Sequence, residues 1–313
     1  MSIVISGSLA YDSIMDFPDS FKNHILPDQI HILNVAFLIN DIKKNYGGCA
    51  GNIAYTINLL GGKPFPVAVF GSDGAEYREY LLGLGISTKY MILSKEKLSS
   101  SATIITDKEN NQITAYHIGA GAHAGAISLK EIEEPIDFGI IAPADKDAMI
   151  LHADQLSQKG IPFAFDPGQQ LHVLAADEFL GILSKAAFYI SNDYELKVAE
   201  KLTGKSSQEL LEYCSVIITT LGHEGSVIKT KEGELRISPC RTDVVVDPTG
   251  AGDAFRAGFF TAHVKGLDSK TCGQVGSVAA TYAIEQEGCQ KHFFTKEQFI
   301  QRYSDTYHEP ISL

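Results

Sequence analysis

Short apolar runs alternate with longer amphipathic stretches along most of the chain. Residues 3–6, 67–70, 138–142, 163–166, 189–191, 216–220 and 244–246 are brief, rich in β-branched or aromatic side chains, and bounded by Gly, Pro, Asp or Asn. That is the pattern of strands buried on both faces. After Gly47-Gly48, the residues Ile53, Ile57 and Leu60 recur at helical spacing, and Gly61-Gly62 supplies a stop. Further helices are predicted over 146–159, 193–202, 251–264 and 269–287. Strand and helix in alternation argue for a mostly parallel sheet with helices on both faces.

Two stretches break this rhythm. Residues 13–44 and 93–119 contain strand-like runs at 30–35, 102–106 and 112–118 without comparable helices, and 107–111 has the composition of a hairpin turn. They are expected to form a small antiparallel lobe that acts as a lid. The segments 1–12, 45–92 and 120–313 would then make the larger domain. Sheet edges and apolar lid faces invite partners, so pairing of two chains through this lobe is expected.

Composition narrows the function. The 313 residues carry 26 Lys and Arg against 38 Asp and Glu, a formal charge of −12. So acidic a chain is poorly suited to a nucleic acid, whose binding depends on clustered basic residues releasing counterions. No run approaches the roughly 20 apolar residues that span a bilayer. The first residues read as a buried strand rather than a secretion signal. Five scattered cysteines without a C-x-x-C pair suggest reduced thiols in the cytoplasm. The ten histidines lack metal-ligand spacing, so no His/Cys centre is expected.

The most informative stretch is Asp247-Pro-Thr-Gly250-Ala251-Gly252-Asp253-Ala-Phe-Arg256. A glycine-containing turn here opens a helix, where backbone N–H groups of 250–252 and the helix dipole favour an anion such as phosphate. Asp253 at the rim is placed to accept a proton from a hydroxyl while those N–H groups hold the charge of a transferring phosphoryl group. From the tetrapeptide alone, a helix-capping Asp fits equally well. The P-loop pattern is absent, and G-x-G-x-x-G is met neither at Gly250 nor in the glycine-rich 119–125, which disfavours a Rossmann dehydrogenase.

The segment DPTGAGDAFRAGF, 247–259, resembles the C-terminal signature of the ribokinase-like (PfkB) carbohydrate and nucleoside kinases. Gly47-Gly48-Cys-Ala-Gly51-Asn52 resembles that family's G-G-x-x-x-N motif. Asn192-Asp-Tyr-Glu195 is similar to its N-x-x-E motif, and Thr219–Gly225 to its nucleotide-binding strand and turn. The four motifs fall in the family's order across nearly the whole chain. The resemblance implies a three-layer α/β/α fold with a β lid, ATP as co-substrate and Mg²⁺ as cofactor. It implies Asp253 as the base and the 250–252 backbone as the anion hole. Asn192 and Glu195 would organise Mg²⁺ and the phosphates, Glu195 through water, while Thr220, Gly222 and Gly225 line the nucleotide groove. Asn192 and Glu195 also suit a helix capping box, and both roles are compatible. Arg256 would help neutralise phosphate, with a salt-bridged helix residue as the alternative.

For the acceptor, Ser8 and Asp12 follow the first strand. On the residues alone Asp12 reads as a surface turn residue. The resemblance makes it, with Gly47, Gly48 and Asn52, the site of a sugar's vicinal hydroxyls. Gln169 and Gln170 offer carboxamides to a purine edge, and Phe37 or Tyr116 an aromatic face; Ala102 stands where another aromatic would help. Similarity to bacterial adenosine kinases favours phosphorylation of adenosine at its 5′-hydroxyl. The rivals are a ribose or ketohexose kinase of the same family and a non-catalytic nucleoside sensor.

Overall fold

The computed structural model describes residues 1–109 and 111–312. In chain order the strands are β1 (Ser2–Ser6), β2 (Ala10–Asp16), β3 (Ile42–Gly47), β4 (Lys63–Phe70), β5 (Met91–Leu93), β6 (Ser100–Thr106), β7 (Gln112–His117), β8 (Phe138–Ile141), β9 (Phe163–Phe165), β10 (Phe188–Asn192), β11 (Val216–Thr220), β12 (Ser226–Lys229) and β13 (Glu234–Ile237). The helices are α1 (Cys49–Leu59), α2 (Ala75–Gly83), α3 (Lys146–Gln158), α4 (Ala176–Leu183), α5 (Asp193–Thr203), α6 (Ser207–Leu210), α7 (Ala251–Val264), α8 (Ser269–Ile284) and α9 (Lys296–Tyr307).

The larger sheet runs β13-β12-β11-β10-β9-β8-β1-β4-β5. It is parallel from β11 to β5 and finishes with the antiparallel β12 and β13. Successive side chains leave opposite faces: Ile3 and Ile5 join one core with α1, α7 and α8, while Val4 joins the other with α3 and α4. Covering both faces is why these strands read as unbroken apolar runs. Parallel strands also put their C-terminal ends on one edge. The order reverses at β1, which has β4 on one side and β8 on the other, and open sheets bind ligands beyond such a point.

The smaller sheet has the order β3-β2-β6-β7. Its two antiparallel pairs, β2/β3 and β6/β7, are joined by a parallel pairing of β2 with β6. Because β2 begins at Ala10 and β3 ends at Gly47, Asp12 and the glycine pair lie at this sheet's junction with α1. In the turn after β6, the Asp107 carboxylate accepts from the N–H groups of Glu109 and Asn111; Asn110 lies outside the described residues.

Two expected strands are corrected. Residues 30–35 run through a short 3-10 turn, Pro27–Ile32, into irregular chain. Leu26, Ile30, Ile32 and Leu33 are exposed there, and the run pairs with no strand among the described residues. Residues 244–246 are also irregular and exposed. The N–H groups of Val246 and Asp247 go to the carbonyl of Ile284, the end of α8, instead of a strand ladder. Among the described residues no helix is long and apolar enough to cross a membrane.

Candidate active site

The edge beyond β1 collects most of the residues singled out from the sequence. Gly48 has φ +86°, and a Cβ there would come within 2.6 Å of Ala10 N and Ser8 O. Only glycine fits this turn. It lets β3 pass directly into α1, whose first N–H groups are met by Ser8: Cys49 N donates to Ser8 Oγ at 3.2 Å and Ala50 N to the Ser8 carbonyl at 3.0 Å. Asn52, on the first turn of α1 and 5% exposed, donates from Nδ2 to Asp253 Oδ2 at 2.8 Å.

Asp253 sits in the first turn of α7. Gly250 caps that helix with φ +80°, and the first helical bond, Ala254 N to Gly250 O, is 2.9 Å. The N–H groups of Gly252 and Asp253 precede that bond, at the positive end of the helix dipole. The N–H of Ala251, expected to face an anion with its neighbours, donates to the Pro248 carbonyl at 3.2 Å.

Arg256, one turn further, is buried and bound to the buried Asp166 just after β9. Its Nη2 donates to Asp166 Oδ1 at 2.9 Å, and its Nε pairs with Oδ2. The fork expected to reach phosphate is therefore occupied by a carboxylate, and its charge lies beside Gly252 in the turn that opens α7. Burial pushes the Asp253 carboxyl above its ordinary range, while Arg256 and the Asn52 hydrogen bond pull it back. Asp12 is pushed up to about 6, first by burial and then by the carboxylates of Asp253 and Asp247.

On the small sheet, register places Asn45, Asp12, Ala102 and Tyr116 in one cross-strand row. Paired residues point to the same face, so Asp12 and Tyr116 flank Ala102. A Cβ on Gly47 would collide with the Asp12 carboxylate, so glycine here keeps that carboxylate's place open. Tyr116 is half-exposed. Phe37 is engaged elsewhere, its ring 4.8 Å from Phe17 and 5.1 Å from Phe21.

The neighbouring strand ends carry the rest. Asn192 and Glu195 form the capping box of α5: Glu195 N donates to Asn192 Oδ1 at 2.7 Å, and Asn192 N to Glu195 Oε2 at 2.8 Å. Thr220 pairs with Asn192 across β10 and β11. It leads into a turn where Gly222 and Gly225 have φ +56° and +94°. Gln169 is exposed and Gln170 half-buried, on the turn Gly168–Val173 that packs against α5.

Three residues that were given no role from the sequence join the site: Asp166 through its pairing with Arg256, Cys49 beside Asp253, and Gln290, which touches Asn52. Asp166 had a local signal, an Asp-Pro-Gly turn after a strand; Gln290 had none.

The pfkB family carbohydrate kinase model matches residues 13–296. The nucleoside kinase of Methanocaldococcus jannaschii is 34% identical over 274 residues, 86% of this chain and 89% of the relative. The solved structure of Burkholderia thailandensis nucleoside kinase in complex with inosine superposes with a TM-score of 0.90 at 34% identity, covering 98% of this chain and 99% of the other. Its complex with ADP and inosine gives 0.88 at 36% identity, covering 98% and 97%. With the motifs gathered on one sheet edge and the family model spanning most of the chain, this protein is a ribokinase-like member of the pfkB family of carbohydrate kinases.

Proposed function

We propose that this protein transfers the γ-phosphoryl group of ATP to the 5′-hydroxyl of a purine ribonucleoside, with adenosine as the substrate. The observation that carries the reading is the Asn52–Asp253 hydrogen bond at the opening of α7. It sets an amide and a half-buried carboxylate side by side, next to the N–H groups of Gly252 and Asp253 at the positive end of the helix dipole. In this reading Asp12 accepts from two ribose hydroxyls, with Gly47, Gly48 and Ser8 shaping the turn beside them. Asp253 takes the 5′-hydroxyl proton, and the N–H groups of Gly252 and Asp253, left free by the Ala251–Pro248 bond, hold the developing charge. Tyr116 with Gln169 and Gln170 meets the base; Thr220, Gly222 and Gly225 border the nucleotide. Arg256, fixed by Asp166, contributes charge from below rather than direct contact.

Asn192 and Glu195 are the residues that would hold Mg²⁺. The side-chain oxygens of Asn192 and Glu195, at the opening of α5, suit an ion held through water and substrate phosphates. Among the described residues no group of three or more His, Cys, Asp or Glu is arranged to hold a metal outright. Bound Mg²⁺ would neutralise the phosphates.

The test is ADP formation with Mg²⁺-ATP across adenosine, inosine, guanosine, ribose and fructose, with Asp253→Asn in parallel. Adenosine-dependent turnover that collapses in the variant supports the reading. Turnover on ribose or fructose alone overturns the nucleoside assignment. Binding without turnover makes the protein a sensor. Inosine is the second reading, favoured by the inosine bound to the Burkholderia relative. The exposed apolar residues from Leu26 to Ile42 further support pairing of two copies through the small sheet, which sedimentation would detect.

A further inference from the structure

Gln290 lies in the segment after α8 and is 4% exposed. Its Nε2 donates to Asn52 Oδ1 at 2.9 Å and to Tyr77 Oη at 2.5 Å. Asn52 Nδ2 in turn donates to Asp253 Oδ2 at 2.8 Å, and Tyr77 Oη to the Gly47 carbonyl at 2.9 Å. One hydrogen-bonded chain thus joins the Asp253 carboxylate to the glycine turn beside Asp12. Tyr80 Oη, 2.9 Å from the Gln290 carbonyl, fixes the backbone that carries the central amide.

Both ends of this chain, a carboxylate and a peptide carbonyl, only accept. Donation must therefore run outward from the middle, and the middle group must give two protons and take none. The NH₂ of a primary amide does this. With its oxygen held by Gln290, Asn52 presents N–H to Asp253; turned over, it would set a lone pair against the carboxylate. Gln290 Oε1 has no hydrogen-bond partner among the described residues. An orphaned buried acceptor is costly, and here that cost accompanies an arrangement with both N–H bonds on the chain.

We infer that Gln290 is a positioning residue, which fixes the orientation of the Asn52 amide and thereby keeps Asp253 as a hydrogen-bonded carboxylate facing the acceptor hydroxyl. The inference rests on the proposed role of Asp253 as base. Arg256 on α7, Cys49 on α1, Asp12 on β2, Asp166 after β9, Glu195 on α5 and Cys289 also face Asp253. All are unchanged in the variants that follow.

Gln290→Glu is close in shape but lacks donors when ionised, and when protonated carries one where two are needed. A carboxylate that loses a donor binds its proton more tightly. At saturating nucleoside, the acid limb of kcat should move up by about one pH unit, with kcat near neutrality down about tenfold. Gln290→Met introduces no charge and keeps much of the volume; it should shift the limb in the same direction by less. Native-like melting of either variant with an unmoved acid limb overturns the inference, whether or not kcat falls, because lost packing alone lowers kcat without moving the limb. Asp253→Asn separates the two claims. If it retains turnover, the base assignment falls; if it does not and the Gln290 variants are unshifted, only the positioning role falls.

Discussion

The opening of α7 and the small sheet approach each other at Asp253 and Asp12, and they are built in opposite ways. At the α7 end, Asn52, Asp166, Arg256 and Gln290 are all buried and tied to one another or to Asp253. On the small sheet, Tyr116 is half-exposed and the chain from Leu26 to Ile42 leaves apolar side chains in solvent. Phosphoryl transfer needs fixed distances, which a helix end wedged between packed layers supplies. Admitting and enclosing a substrate needs surface that starts open. On this division the first region governs rate and the second substrate choice.

The largest effect belongs to the buried end. Asp253→Asn should lower kcat by about 10³-fold, within the range for removing a general base, while nucleoside binding measured by calorimetry stays within severalfold. A comparable loss of binding would erase the division. Next is Gly252→Ala. A Cβ there would lie 2.7 Å from Arg256 Nη1, and Arg256 cannot swing aside without breaking its buried pairing with Asp166. The turn must shift instead, and an error near 1 Å at an anion site costs about 10²-fold. Steady-state kinetics should place that loss in kcat.

The same contrast decides what could be read from the sequence. Strands β1, β4, β8, β9, β10 and β11 were legible because both faces are covered, which forces continuous apolar runs. β2 and β3 were not: β2 grades from buried through intermediate to exposed, and β3 mixes exposed, intermediate and buried positions, leaving neither a clean alternation nor a solid run. Residues 244–246 erred the other way, since a β-branched run makes a strand only where a neighbour is free to pair. In the site, Asp253, Asn52, Asn192 and Glu195 carried local signals because helix openings demand particular residues. Gln290 meets Asn52 across 238 positions and Arg256 meets Asp166 across 90. No local spacing records such contacts.

Asp12 lies on the boundary and is expected to show both characters. Asp12→Asn should raise the nucleoside KM at least about tenfold, the worth of hydrogen bonds to a charged acceptor, with kcat less affected. In the wild type, KM should climb as pH falls through about 6, where Asp12 takes a proton. Stability should move the other way. The folded state holds this proton more tightly than the unfolded chain, whose Asp titrates at about 3.9, so the group's contribution falls as pH rises from about 4 through 6. Asp12→Asn should therefore melt a few degrees higher than wild type at pH 7.5, and the gap should close as the pH is lowered toward 4.

The smallest effect is expected at Tyr116. Its ring shares a sheet face with Asp12, separated by Ala102, whose small side chain leaves room between them. A base attached to a ribose held by Asp12 would lie over Ala102 with its edge or face toward Tyr116. An aromatic contact of this kind is worth about 0.5–1.5 kcal/mol. Tyr116→Ala should then raise the nucleoside KM by about two- to tenfold, Tyr116→Phe should not, and neither should change KM for free ribose where ribose is turned over at all. Equal effects on nucleoside and ribose would mean that the ring supports the sheet rather than the base. Ala102→Phe approaches the same point from the other side. By filling the gap it should exclude a base while sparing a sugar, and better nucleoside binding in that variant would show that the base stacks on the row itself rather than beside it.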